Sequence, residues 1–221
     1  MVGVVRSGLR RAFGVPRVRL VLATLMTSLL TALLGGCAIP LPAPFVRPAS
    51  PLNGALLTPS RPVPGLSLQR ADGRTFTTAE LQGRFSLVFF GYTFCPDVCP
   101  LTLLEVAQVR RLLGPDAAHL DAYFVTVDPA RDTPERLRAF VKGFDPAIEP
   151  LTGGTSDLEQ MRAAFGAVAE RREAPDGGSV YFMDHTAALF LVDRSGGISV
   201  VYAYSTPPDQ IADDVRQLVK R

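Results

Sequence analysis

The run Phe85-Ser86-Leu87-Val88-Phe89-Phe90 constrains this chain more than any other segment, because it is too apolar for a strand with one face in water. A strand buried on both faces belongs in the middle of a sheet covered by helices on each side. The flanking pattern agrees. The segment Leu66–Thr77 reads as a hairpin turning at Asp72-Gly73. A helix is expected from about Pro100 to Leu113, stopped by Gly114-Pro115, and a strand over Ala122–Val127. Thr133 caps a helix with Pro134 in its first position, running to about Phe144. Then come a short strand at Glu149–Leu151, a helix over Ser156–Phe165 and strands at Val180–Phe182 and Ala188–Val192. A Ser195-Gly196-Gly197 turn, a strand over Ile198–Tyr204 and a closing helix from Pro208 end the series. Such alternation predicts an α/β layered fold around a mixed sheet, with an added N-terminal hairpin.

Upstream of that body the chain changes character. An arginine-rich start is followed by an apolar run from Leu20 to Leu34 and then Leu34-Gly35-Gly36-Cys37. The order reads as a targeting segment, and its last four residues resemble a bacterial lipobox. That resemblance implies a signal peptide over residues 1–36, cleavage before Cys37 and lipidation of its thiol. The alternative is an uncleaved helix from Leu20 to Ile39, which just reaches the roughly 20 residues needed to cross a bilayer. Either form places the body on the extracytoplasmic, periplasmic side of a bacterial cell envelope, tethered to a membrane.

Between Cys37 and Pro64 eight prolines block helix and sheet pairing, so residues 37–60 are expected to be an extended tether. Residues 61–221 then form the folded domain, long enough to bury roughly 70% of its unfolded surface without a disulfide staple. Five of the 23 basic residues (Arg6, Arg10, Arg11, Arg17, Arg19) precede Cys37 with no acid among them. The remainder is therefore net negative, which gives nucleic-acid binding no support.

Chemistry is concentrated in Phe90-Gly91-Tyr92-Thr93-Phe94-Cys95-Pro96-Asp97-Val98-Cys99-Pro100. Two cysteines four apart in the first turn of a helix share one face, about 5 to 6 Å between Cβ atoms. The helix N-terminus favours anions and so lowers thiol pKa values. Thiolates of this kind serve metal binding, redox exchange or a structural disulfide. The last is the least apt, since a bridge between such close neighbours constrains the unfolded chain little.

Four ordered motifs carry a further likeness: Gly91-Tyr92-Thr93 with Cys95-Pro96-Asp97-Val98-Cys99-Pro100; Val127-Asp128-Pro129-Ala130-Arg131-Asp132-Thr133-Pro134; Leu151-Thr152-Gly153; and Asp184-His185-Thr186. Together they resemble the Sco/SenC proteins, copper chaperones of cytochrome c oxidase with a thioredoxin-like fold. The resemblance implies one copper ion, Cu(I) or Cu(II), bound by Cys95, Cys99 and His185. It further implies delivery to the binuclear copper site of cytochrome c oxidase subunit II. Soft thiolates select Cu(I), and imidazole suits copper in either oxidation state. Zinc would want a fourth protein ligand or a bound water, and no fourth ligand stands out.

Several neighbours have plainer readings. Met183 shares a strand face with His185 and is a soft donor, but a methionine in an apolar strand is ordinarily core. His119 reads as a solvated loop residue. Asp128 or Asp184 is a candidate to orient the imidazole. For Asp128–Pro134 the architectural reading is a strand exit, an Arg131–Asp132 ion pair and a capped helix start. The competing function is a thiol-disulfide oxidoreductase in which Cys95 and Cys99 form a redox-active disulfide that reduces the oxidase copper-site cysteines. A thiol peroxidase is a more distant third. Because copper needs both thiols reduced in an oxidising compartment, an extracytoplasmic thiol reductase is an expected partner, with another copper chaperone as donor.

Overall fold

The computed structural model describes residues 52–174 and 180–220. The signal-peptide and Cys37 expectations, and the tether as far as residue 51, lie outside the described residues. Ten strands occur among them: β1 (Ala55–Pro62), β2 (Ser67–Arg70), β3 (Thr75–Thr77), β4 (Phe85–Gly91), β5 (Leu120–Thr126), β6 (Ile148–Thr152), β7 (Ala169–Glu173), β8 (Tyr181–His185), β9 (Leu189–Val192) and β10 (Gly197–Tyr202). The α-helices are α1 (Val98–Leu113), α2 (Pro134–Lys142), α3 (Thr155–Phe165) and α4 (Pro208–Val219). Eight strands form one mixed sheet in the order β1-β10-β9-β4-β5-β6-β2-β3, while β7 and β8 form a separate ribbon.

Every residue of β4 is buried, as its composition requires. It runs parallel to β5, from Phe85 opposite Leu120 to Gly91 opposite Thr126, and antiparallel to β9 on its other edge. Its two faces are packed separately. Phe89 meets Phe124, which meets Phe140 of α2, whereas Phe90 packs edge-on against Phe165 of α3 and Phe190 of β9. Each fully buried side chain of this size contributes about 1.5–3 kcal/mol through removal from water, and β4 carries such side chains on both faces.

The helices follow their signals. On α1 the buried positions Cys99, Leu103, Val106, Ala107, Val109 and Leu113 recur with helical spacing and form one stripe. Thr133 caps α2 by accepting from the Arg136 amide at 3.3 Å. The expected hairpin is β2–β3, with Gly73 at φ 89° in its turn, a conformation that favours glycine.

Two strands depart from expectation. Residues 55–60, assigned to the tether, belong to β1, which pairs antiparallel with β10. Its prolines are accommodated because β1 is an edge strand and its register shifts between Leu56 and Arg61. The buried Asp214 carboxylate of α4 also accepts from the amides of Asn53 and Gly54 at 2.9 and 3.0 Å, anchoring the entry to β1. The other surprise is β7, Ala-Glu-Arg-Arg-Glu, which has no apolar alternation because it is exposed along nearly its whole length. It pairs with β8, which continues past the expected Phe182 to His185.

Candidate metal centre

The cysteine loop is set by how β4 ends. Gly91 closes the strand, and a Cβ there would lie 2.7 Å from both Cys99 Sγ and a Phe124 ring carbon. Only glycine leaves room for the sulfur to sit against the sheet. Tyr92–Asp97 then cross to α1, which begins at Val98. Cys95 therefore lies before the helix and not in its first turn, and only Cys99 is helical. The two still converge, because the loop turns back so that the Cys99 amide donates to Cys95 Sγ at 3.3 Å.

That loop hangs on Asp132. The carboxylate, 1% exposed, accepts from Thr93 N at 3.2 Å, from Thr93 Oγ1 at 2.6 Å and from Thr126 Oγ1 at 2.6 Å. Burial pushes its carboxyl above the usual range, while these hydrogen bonds oppose the shift. The expected Arg131–Asp132 ion pair is absent: Arg131 pairs instead with Asp128, because the Asp132 side chain is turned inward to the threonines.

His185 ends β8 opposite Ala169. Its Nε2 lies 3.4 Å from Cys99 Sγ, and its Nδ1 lies 3.1 Å from the Thr186 carbonyl. A carbonyl only accepts, so Nδ1 is the donor there, and Nε2 is the ring nitrogen that faces the sulfurs. The ring stands edge-on to Tyr92 and Phe89, at 5.7 and 6.0 Å between centroids. Neither carboxylate expected to orient it does so. Asp128 is occupied by Arg131 and by the Tyr181 hydroxyl at 2.9 Å, and Asp184 points to Arg172 at 3.0 Å. A backbone carbonyl does that work, and no side-chain pattern in the sequence announces one.

Cys95 Sγ, Cys99 Sγ and a His185 nitrogen all lie within 4.8 Å of one another, a grouping able to hold a metal ion. The thiols are unequal. A hydrogen bond from Cys99 is the largest influence holding Cys95 down to about 4; half-burial opposes it, while His185 and the amides of Cys99 and Asp97 help. Burial, reinforced by the adjacent Cys95 charge, pushes Cys99 up. At neutral pH the pair is thus one thiolate and one thiol sharing a proton. A cleft of about 240 Å³ opens over Cys95 and His185, lined also by Tyr92, Val98, Met183 and Asp184, while Cys99 lies buried beneath. Met183 shares the His185 face of β8 and packs half-buried against the core, whereas His119 is exposed at the end of a 3-10 turn.

The family model for SCO1/SenC matches residues 60–220. An SCO2-like protein of Rickettsia prowazekii is 33% identical over 125 residues, 57% of this chain and 61% of that protein. The human mitochondrial SCO2 homolog is 34% identical over 147 residues, 66% of this chain and 55% of that protein. The chain thus spans about three-fifths of the length of the curated relatives it matches. Among solved structures, ScoI of Bradyrhizobium japonicum with copper bound is similar at a TM-score of 0.66 and 34% identity, covering 71% of this chain and 99% of that one. The mixed sheet with helices on both faces is accordingly thioredoxin-like, as the resemblance implied.

Proposed function

The chain belongs to the SCO1/SenC family, and from that premise we propose that it is a copper carrier. One copper ion is its cargo, held by Cys95, Cys99 and His185 and handed to the binuclear copper site of cytochrome c oxidase subunit II during oxidase assembly. The observation that carries this reading is the convergence of two sulfurs and an imidazole nitrogen, remote in sequence, within 4.8 Å. Two soft donors favour Cu(I), and the imidazole keeps Cu(II) acceptable. The inequality of the thiols adds a step: Cys95 meets the ion already ionised, and Cys99 surrenders its proton as the ion arrives. Copper analysis of the full-length chain, purified reduced, tests the proposal. Uptake of about one ion, lost in Cys99→Ala and weakened in His185→Ala, is expected; equal loading of all three proteins defeats it.

The proposal places the body outside the cytoplasm, with residues 1–36 as a lipoprotein signal peptide and Cys37 as the lipidated anchor in a bacterial envelope. Among the described residues no helix is long and apolar enough to cross a membrane. A thiol reductase that keeps the pair reduced and a copper-donating chaperone are the further partners.

A second reading is favoured by the same inequality. A half-buried thiolate beside a buried thiol is the arrangement of an attacking and a resolving cysteine. Cys95 would attack one sulfur of a partner's disulfide to form a mixed disulfide. Cys99 would then attack Cys95 Sγ, its proton going to the departing thiolate, leaving the partner as a dithiol and Cys95–Cys99 oxidised. Two electrons pass to the partner in that exchange. Turnover of a disulfide substrate in the absence of copper separates this reading from the first.

A further inference from the structure

Among the described residues the β7–β8 ribbon that carries His185 shares no ladder with the eight-stranded sheet. Two strands alone are marginal in water, so contacts outside the ladder hold it in place. At its base, Thr186 N donates to the Val168 carbonyl at 3.0 Å and Val168 N donates to Thr186 Oγ1 at 2.9 Å. At the opposite end of β8 stands Arg131, from the loop between β5 and α2. Its Nη1 donates to the Tyr181 carbonyl at 2.8 Å, and its guanidinium carbon lies 3.5 Å from the centroid of the Tyr181 ring. Its Nε bonds Asp128, whose other oxygen accepts from the Tyr181 hydroxyl at 2.9 Å. The same guanidinium lies 4.7 Å from the ring centroid of Phe94 and 5.6 Å from that of Tyr92, the residues on either side of Thr93 in the cysteine loop.

One arginine therefore touches all the parts that must stay in register: the loop bearing Cys95, the first residue of the strand bearing His185, and the carboxylate closing the ring between them. These contacts are partly desolvated, with the Arg131 side chain 18% and the Asp128 side chain 3% exposed. Charge-assisted hydrogen bonds and guanidinium stacking in such a setting are worth more than surface pairs. We propose that Arg131 is a positioning residue: with Asp128 and Tyr181 it clasps the β7–β8 ribbon to the cysteine loop and so holds His185 within reach of the sulfurs. Its contacts are with Asp128, Tyr181, Tyr92 and Phe94, and with none of the three ligands. Its effect falls on the imidazole side of the site, which meets the core through ring contacts and Met183 and not through a strand ladder.

The clasp itself stands on the contacts of Arg131 with Asp128, Tyr181 and the cysteine loop, and only its consequence for copper rests on the carrier reading. Hydrogen exchange on the full-length, metal-free protein in detergent tests the first. Arg131→Met keeps the apolar stem and removes the fork. Amides of β8 are expected to exchange about tenfold faster or more, with those of β4 and β5 unchanged. Tyr181→Phe, which keeps the ring and removes one hydrogen bond, shifts β8 in the same direction by less. It decides the matter if Arg131→Met fails to fold. The second measurement compares copper states. Cu(II), which calls on the imidazole, loses about tenfold or more in affinity in Arg131→Met, while Cu(I) on the two thiolates loses less. The thiolate-to-Cu(II) absorption changes with it. Unchanged β8 exchange, equal acceleration in β4 and β5, or parallel loss of Cu(I) and Cu(II) affinity overturns the clasp. A wild-type protein that takes up no copper sinks the carrier reading, and the exchange data then judge the clasp alone.

Discussion

Strands β4 and β8 each lead into the same site, yet they are held in opposite ways. All seven residues of β4 are buried, and both its edges are paired within the large sheet. None of the five residues of β8 is fully buried, and among the described residues its ladder partner is β7 alone. The sulfurs are thus fixed by the core of the fold, through Gly91 and Asp132, whereas the imidazole rests against two core rings on a ribbon tied down by a few polar contacts at the rim. For the carrier proposed above the division would be useful. A ligand on a lightly held ribbon can leave first, exposing an ion still anchored by two thiolates.

The contrast is broken most severely from the core side. Phe90, fully buried against Phe165 and Phe190, is expected to cost about 3–5 kcal/mol when cut to alanine. The half-buried Phe182 of β8 should cost well under half as much. Urea unfolding of both variants measures the difference; equal losses would mean the ribbon belongs to the cooperative core. A smaller but more pointed effect is expected at Gly91. Its alanine variant places a methyl group 2.7 Å from Cys99 Sγ, so overpacking costs about 1–3 kcal/mol and pushes that sulfur from its place. Chelator competition should show weaker Cu(I) binding in Gly91→Ala, and wild-type affinity there would separate the sulfur's position from the strand end.

That same division separates what was legible in the sequence from what was not. The core side follows from local rules: the predominantly apolar run Phe85–Phe90 suits a central strand, Thr133-Pro134 suits a helix start, and the motif order brings Cys95, Cys99 and His185 to one family pattern. On the rim side those rules lapse. Strand β7 is written in charged residues because it faces water, so no alternation betrays it. Strand β1 is written with prolines because an edge tolerates them. Asp128, Arg131 and Asp132 stand together in sequence, but which carboxylate pairs with the arginine depends on Thr93 and Tyr181, 39 and 50 or more positions away. The Thr186 carbonyl that orients His185 is invisible to any reading of side chains.

Between the two sides stands Cys95, whose thiol is held near 4 from a usual 9.0. A depressed thiol pKa keeps the thiolate populated at every pH above it, so alkylation of Cys95 should run at a nearly constant rate from about pH 8 down to about pH 5, then fall below about pH 4. Low basicity also costs nucleophilicity, by about 0.4–0.5 log units for each pKa unit. The advantage over an ordinary thiol is therefore only about threefold to tenfold at pH 6, although the difference in thiolate fraction alone would suggest far more. Cys99, buried and pushed up, should stay unmodified. Mass-resolved alkylation across pH tests the assignment, and modification of both residues with a midpoint near 9 would show that they share no proton.

The smallest effect is expected where the ribbon meets water. Arg172 and Asp184 form an ion pair at 3.0 Å beside His185, but their side chains are 61% and 60% exposed. Solvent and salt screen such a pair, and holding two long side chains in place offsets most of the attraction, so Arg172→Ala should change stability by no more than about 0–1 kcal/mol. The proximity of Asp184 to the ligand in sequence invites a larger role. It has none through the imidazole, because Nδ1 is already committed to a carbonyl that no substitution at 172 or 184 removes. Copper affinity in Arg172→Ala should therefore stay within about threefold of wild type. A drop as large as that in Arg131→Met would mean that the exposed side of the ribbon, and not the clasp beneath it, sets where His185 stands.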